Sequence, residues 1–213
     1  MKSHIFRNSV LAIASLLILY VICYSWVDVP VAQWMQQHMQ NTLWFHLSGI
    51  IKKVFSPTNW FMLALLSLII GCLIYYGKKR PNAAQSWLFF SAAYFFAFIL
   101  GFILKFIFAR YRPELYFQSG LYGFHFFKIK EAFNSTPSGH ALANFAALYA
   151  IACIMHKRTI TILLMLLASV IAFSRLIVLD HYVSDVIFGV YLGILSVYWM
   201  KYAFGLKKEH RYN

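Results

Sequence analysis

Six apolar runs of about twenty residues divide this chain, and they constrain its fold more than any other feature. They fall at roughly 9–27, 58–77, 84–108, 138–155, 159–179 and 183–204. Each approaches the ~20 residues that a helix needs to cross bilayer hydrocarbon. In lipid the backbone must satisfy its own polar groups, so such runs are helical. The reading is an all-α polytopic membrane protein: six transmembrane helices in a bundle, one integral-membrane domain over residues 1–213. The first run follows Lys2 and Arg7, as the apolar part of a signal peptide would. Asn8 to Val27 has no charge, however, and no small-residue cleavage site follows. It is expected to be a retained span. The fourth run looks short and starts at its own polar end.

Composition agrees: 62% of residues are hydrophobic and 12% charged, whereas soluble chains are roughly half apolar. A net charge of +13 would suit nucleic acid, but the basic residues lie between apolar runs, which fits membrane topology and anionic lipid instead. Cys23, Cys72 and Cys153 all sit inside apolar runs, with no metal or disulfide spacing.

The basic residues also orient the chain. Lys2, Arg7, Lys78, Lys79, Arg80, Lys157, Arg158, Lys201, Lys207, Lys208 and Arg211 fall on one side with a single acid, Glu209. The other side holds eight basic and five acidic residues. The positive-inside rule then puts both termini in the cytoplasm. The localisation expected is a bacterial-type inner membrane. Of the two long outer connections, 28–57 mixes Trp34, Trp44 and Ile50 with polar residues, as short interfacial helices do. The other, 109–136, is too aromatic for a free linker and is expected to pack over the helix ends. Gly189 and Gly193 form a small-xxx-small pair, expected to serve close packing within the bundle.

Three polar clusters interrupt the apolar pattern, all on the outer side. Ionisable groups at membrane depth cost enough to mark function. The first cluster is Lys105 with Arg112-Pro113; seven residues are two turns, so the two cations share a face if the helix continues. The second is Thr136-Pro137-Ser138-Gly139-His140. With Thr136 as cap and Pro137 in the first turn, the Ser138 and Gly139 amides are free donors at the positive end of a helix, an anion site. The third is Ser174 to Asp185, with Arg175, Asp180, His181 and Asp185. If helical, His181 and Asp185 share a face, and the carboxylate reaches the imidazole. Together these groups suit a phosphoryl group: cations and amides for its oxygens, a nucleophile in line and an acid for the leaving oxygen. The residues alone do not rank His181 over His140 as nucleophile. No carboxylate or Cys/His cluster suggests a metal, so no cofactor is expected.

Lys105, six residues, Arg112-Pro113; Pro137-Ser138-Gly139-His140; then Ser174-Arg175, five residues, His181, three residues, Asp185. This pattern resembles the complete three-part signature of the type 2 phosphatidic acid phosphatase superfamily, spanning 105–185. The resemblance implies a membrane lipid phosphatase in which His181 attacks phosphorus and Asp185 holds its tautomer. His140 would protonate the leaving group and then activate water. Lys105, Arg112, Ser138, Gly139 and Arg175 would bind the phosphoryl oxygens. The superfamily also holds soluble vanadate-dependent haloperoxidases, and six spans argue against that branch.

The partner expected is a lipid phosphate from the bilayer, with no nucleic acid and no obligatory protein partner. Undecaprenyl diphosphate is favoured, because Arg110, Lys128 and Lys130 add positive charge as candidate headgroup contacts beside an aromatic lid. Phosphatidylglycerophosphate, phosphatidic acid and lipid A phosphates are the alternatives. A lipid phosphotransferase is a competing activity. A transporter fits less well, since the charges sit at span ends and no inverted repeat is visible.

Overall fold

The computed structural model describes residues 2–77 and 79–206. Lys78, Lys207, Lys208, Glu209 and Arg211, counted in the topology argument, lie outside them. The helices are α1 (Lys2–Ile22), α2 (Asp28–Met39), α3 (Leu43–Val54), α4 (Pro57–Cys72), α5 (Pro81–Phe108), α6 (Pro113–Ser119), α7 (Gly139–Met155), α8 (Arg158–Ile177) and α9 (Val183–Ala203). Five helical runs are long and apolar enough to cross a membrane, and α7 is a shorter apolar sixth. The six expected spans are therefore present, and all but the first lie within a few residues of their expected bounds.

One boundary differs. The first span does not stop at Val27 but passes through a π-helical turn, Cys23–Val27, into α2. The Asp28 amide donates to the Cys23 carbonyl, so the backbone never breaks. Asp28 reads as a membrane boundary in sequence; in the fold it is a buried acid with a partner elsewhere. As expected, the connection 28–57 forms two short helices. Thr42 caps α3 by accepting from the Phe45 amide, and Ser56 caps α4 by accepting from Asn59.

The centre of the bundle is α7, packed against α5, α8 and α9. Its alanines 141, 143, 146, 147 and 150 are all buried, and so many small side chains let neighbours approach closely. A helix surrounded by protein need not match the bilayer thickness, so seventeen residues suffice. The α7–α9 contact is the tightest. A Cβ on Gly189 would stand 2.6 Å from the Ser138 carbonyl, and one on Gly193 2.8 Å from that of Leu142. The glycine pair therefore serves packing inside the bundle, as expected. Leu11, Ile18, Phe102, Leu163 and Leu166 point outward as exposed apolar groups, the pattern of a lipid-facing surface. At the end of the bundle away from the motifs, Trp199 Nε1 donates to Ser9 Oγ at 2.8 Å and Gln85 Nε2 to the Phe204 carbonyl at 3.2 Å.

A candidate active site at one end of the helix bundle

Three chain reversals build the site. At the first, α5 ends on Ala109, which adopts a left-handed conformation (φ 41°) and donates to the Lys105 carbonyl. The strand-like 109–112 segment then threads between two runs of the long connection. Tyr111 N donates to Gly123 O and His125 N to Ala109 O, while Arg112 N donates to Ala132 O and Ser135 N to Arg110 O. Arg112 therefore stands before α6 in extended backbone, and no continuous helix aligns it with Lys105. Pro113 disfavours helix at the preceding residue, which explains the difference.

The second reversal opens α7. Ser138, not Thr136, is its cap: Ser138 Oγ accepts from the Ala141 amide. The Ser138 amide donates to the Asp185 carbonyl at 2.9 Å. Of the two amides expected to be free, Ser138's is thus already used; Gly139 begins the helix, where first-turn amides have no acceptor within it. Thr136 Oγ1 instead bonds the Asp185 carboxylate.

The third reversal joins α8 to α9. His181 lies before α9 and Tyr182 is the cap, so His181 and Asp185 do not share a helical face. Asp185 folds back to accept from the Tyr182 amide at 2.9 Å. Its Oδ2 lies 4.0 Å from His181 Nδ1, and that nitrogen is buried without a hydrogen-bond partner. The carboxylate faces the imidazole but stands about 1 Å beyond hydrogen-bond reach.

Burial and then the positive potential of Lys105, Arg112, His140 and Arg175 hold the His181 pKa well below the ordinary histidine value. Four of the expected site residues therefore act electrostatically on one imidazole. Lys105 Nζ donates to the Asn134 carbonyl at 2.5 Å. Arg112 Nε and both Nε and Nη1 of Arg175 are buried donors without a protein acceptor. Each such group costs ~1–3 kcal/mol when left unpaired, and phosphoryl oxygens are acceptors of the right kind. Arg175 Nη1 has only Asp180 at 3.5 Å, an ion-pair distance.

The sequence reading missed Lys52. Its ammonium pairs with Asp180 at 2.8 Å beside Arg175, and its carbonyl lies 3.3 Å from His140 Nε2. Helix α3 thus orients His140 and brings a half-exposed cation to the mouth. Asn144 is fully buried, bonded to Trp60 Nε1, Phe55 O and His140 O; it fastens the α3–α4 corner to α7.

Arg110 is not a headgroup contact. Its side chain is fully buried and bridges Asp28 at 2.7 Å and Asp185 at 2.6 Å. Burial disfavours its charge, yet Asp185, Tyr20 and Asp28 outweigh this and raise its pKa. Lys128 and Lys130 are exposed, with the Lys128 ammonium 5.9 Å from the Phe133 ring centre. Among the described residues no three His, Cys, Asp or Glu gather as metal ligands.

Two apolar clefts adjoin the site. One of about 150 Å³ runs between α5 and α7 to Lys105 and Gly139, past Phe98, Phe102 and Leu142. The other, about 360 Å³, lies between α3 and α8 and ends at Ser48 and Ser174; the Ser48 carbonyl accepts from Arg175 at 3.4 Å.

Comparison with known proteins agrees with this geometry. A search of curated proteins found no match. Among solved structures, the fold is similar to a crystal structure of a transmembrane PAP2 type phosphatidylglycerolphosphate phosphatase from Bacillus subtilis. The TM-score is 0.61 at 20% identity, covering 95% of this chain and 98% of that one. The model of the PAP2 superfamily matches residues 86–209, which include all three motifs, and the chain belongs to that superfamily.

Proposed function

We propose that this membrane phosphatase hydrolyses a phosphate or diphosphate ester of a lipid through a phosphohistidine on His181, at the outer face of a bacterial-type inner membrane. The observation that carries the reading is a buried imidazole facing Asp185 at 4.0 Å, with buried donors of Arg112 and Arg175 left without acceptors, and Lys105, Arg112, Arg175 and His140 all disfavouring its charged form. A neutral imidazole keeps the lone pair that a nucleophile needs. With Nδ1 facing Asp185, Nε2 is the attacking atom. The Nε2–P bond forms as the P–O bond to the lipid breaks, and His140 gives its proton to the leaving oxygen. Water then attacks phosphorus, His140 takes its proton, and the P–N bond breaks to release inorganic phosphate. Arg112, Arg175, Lys105 and the Gly139 amide hold the phosphoryl oxygens throughout. The apolar clefts beside Lys105 and Arg175 are suited to the chains of a lipid that enters sideways.

Our favoured substrate is undecaprenyl diphosphate. Arg110 no longer supports that choice, but Lys52 does: it brings a fourth cation within reach of a second phosphate. Phosphatidylglycerophosphate is the second reading, favoured by the similarity to the B. subtilis phosphatase. The basic ends of α1, α5, α8 and α9 support cytoplasmic termini.

The test uses protein in detergent and a radiolabelled lipid phosphate. Wild type should label on His181 and release phosphate without any acceptor, which separates hydrolysis from phosphotransfer. His181→Ala should neither label nor turn over; an active His181→Ala enzyme would end the proposal. His140→Ala should still label from a substrate with a good leaving group.

A further inference from the structure

Behind Asp185 lies a buried cluster that the reaction above does not use. Arg110 Nη1 meets Asp185 Oδ1 at 2.6 Å, and Nη2 meets Asp28 Oδ2 at 2.7 Å; all three side chains are fully buried. Ser184 ties the two ends together. Its amide donates to Asp28 Oδ1 at 2.9 Å and its hydroxyl to Oδ2, while Arg110 donates to the same hydroxyl at 2.6 Å. Asp185 also accepts from Ser135 Oγ at 2.6 Å and from Thr136. Asp28 belongs to the first helical run, outside residues 86–209.

The charge count is informative. Two carboxylates share one guanidinium, so with both ionised the cluster carries one net negative charge. An Arg110–Asp185 pair alone would be neutral. As the Nε2–P bond forms, His181 becomes an imidazolium, with positive charge at Nδ1–H. Lys105 on α5, Arg112 before α6, His140 on α7 and Arg175 on α8 all oppose that charge. Asp185 is the carboxylate facing it, at 4.0 Å.

We propose that Asp28 and Arg110 are positioning residues for the phosphoryl transfer: Arg110 fixes Asp185 opposite His181, and Asp28 draws enough of the guanidinium's charge for Asp185 to stay negative toward the imidazolium. This rests on His181 as the nucleophile.

The experiment uses the full chain, with kcat, KM and the pH profile measured on folded protein. Asp28→Asn keeps the shape and removes the charge. It should lower kcat roughly 10–100-fold, the range for carboxylates that orient metal-bound histidines. KM should change little. The acid limb of kcat/KM should move to lower pH, because a protonated His181 loses a stabilising negative charge. In an Asp185→Asn background, Asp28→Asn should add nothing, since its effect passes through Asp185. Arg110→Lys should not restore wild-type kcat, since one ammonium cannot fork to both carboxylates. A folded Asp28→Asn protein that keeps wild-type kcat and acid limb would overturn the proposal and leave the cluster a purely structural one.

Should Asp28→Asn fail to fold, Tyr122→Phe decides. The Tyr122 oxygen accepts from Arg110 Nη2 at 3.0 Å and gives its proton to the Tyr24 carbonyl at 2.6 Å, with Asp28 Oδ2 farther off at 3.3 Å; its removal leaves more of the guanidinium's charge on the carboxylates. A smaller shift of kcat and acid limb in the same direction supports the proposal; no shift refutes it. Phosphoenzyme on wild-type His181 is the control. Its absence would sink the nucleophile assignment, whereas its presence with inert cluster variants would sink only the present inference.

Discussion

Replacing Gly189 by alanine should damage the site from outside it. The new Cβ would lie 2.6 Å from the Ser138 carbonyl and 3.1 Å from the Ala141 Cβ. Ordinary contact begins at 3.4 Å, so α7 and α9 must part by about 0.8 Å. Backbone lies on both sides of this contact, and no flexible side chain can swing away. Overpacking of this kind costs ~1–3 kcal/mol. For a chain of this size that is a Tm loss of roughly 2–12 °C, at ~2–4 °C per kcal/mol. The same displacement would stretch the 2.9 Å bond from the Ser138 amide to the Asp185 carbonyl beyond hydrogen-bond length. It would carry His181 and Asp185 away from Gly139 and His140. A misplacement near 1 Å in a positioned site costs about 10²-fold in rate, so kcat/KM should fall roughly 10–100-fold. Phosphate release and thermal unfolding in one detergent measure both quantities. Gly49→Ala, inside α3 where a Cβ meets nothing within 4 Å, is the matched control and should leave kcat/KM unchanged and Tm equal or slightly higher. Wild-type Tm and kcat/KM in Gly189→Ala would refute the account of tight α7–α9 packing.

The low pKa of His181 has two readouts. The acid limb of kcat/KM should lie below the free-histidine value of about 6.5, and a limb at or above it would count against a buried neutral nucleophile. Because the folded pKa is the lower one, the unfolded chain binds the extra proton. This contribution to stability is complete above about pH 6.5 and is lost as pH falls toward the folded value, which pH-dependent melting measures. Activity should survive EDTA and be inhibited by vanadate, since the buried carboxylates Asp28 and Asp185 are engaged by Arg110; abolition by EDTA with rescue by Mg²⁺ would contradict this. Lys52→Gln should lower kcat/KM for a lipid diphosphate about fivefold more than for phosphatidic acid, the worth of a half-exposed charge near 1 kcal/mol. Equal losses on both substrates would remove Lys52 from substrate choice.

The helices were legible because each apolar run carries its own length signal, and the motif residues because charge is rare in such runs. Most of what the sequence hid depends on partners far along the chain. Arg110 reads as one more outer cation; only the fold shows Asp28, 82 residues before it, and Asp185, 75 after it. The Ser138 amide reads as a free donor at a helix start, and the Asp185 carbonyl that takes it belongs to another helix. The His181–Asp185 spacing of four suggests a shared helical face, yet Tyr182 starts α9 between them. There the local rule failed for a local reason: Asp185 caps the turn that His181 precedes. Lys52 carried no signal beyond its place in an amphipathic stretch.

The Asp28–Arg110–Asp185 cluster also bears on how the chain is made. Synthesis runs from the N-terminus, and at ~5–20 residues per second Arg110 follows Asp28 by about 4–16 s. Asp185 comes a similar interval later. Until then the first helical run holds an acid without its cation, and later a cation with only one of its two acids. Burying either state costs several kcal/mol. The early helices therefore gain by keeping this end near water until the last span arrives. The ion cluster closes only with α9 in place, and with it the Asp185 carboxylate is set opposite His181. Completion of the last helix and completion of the candidate site become one event, so on the proposed function a chain arrested before α9 can be inserted in the membrane and still be inert.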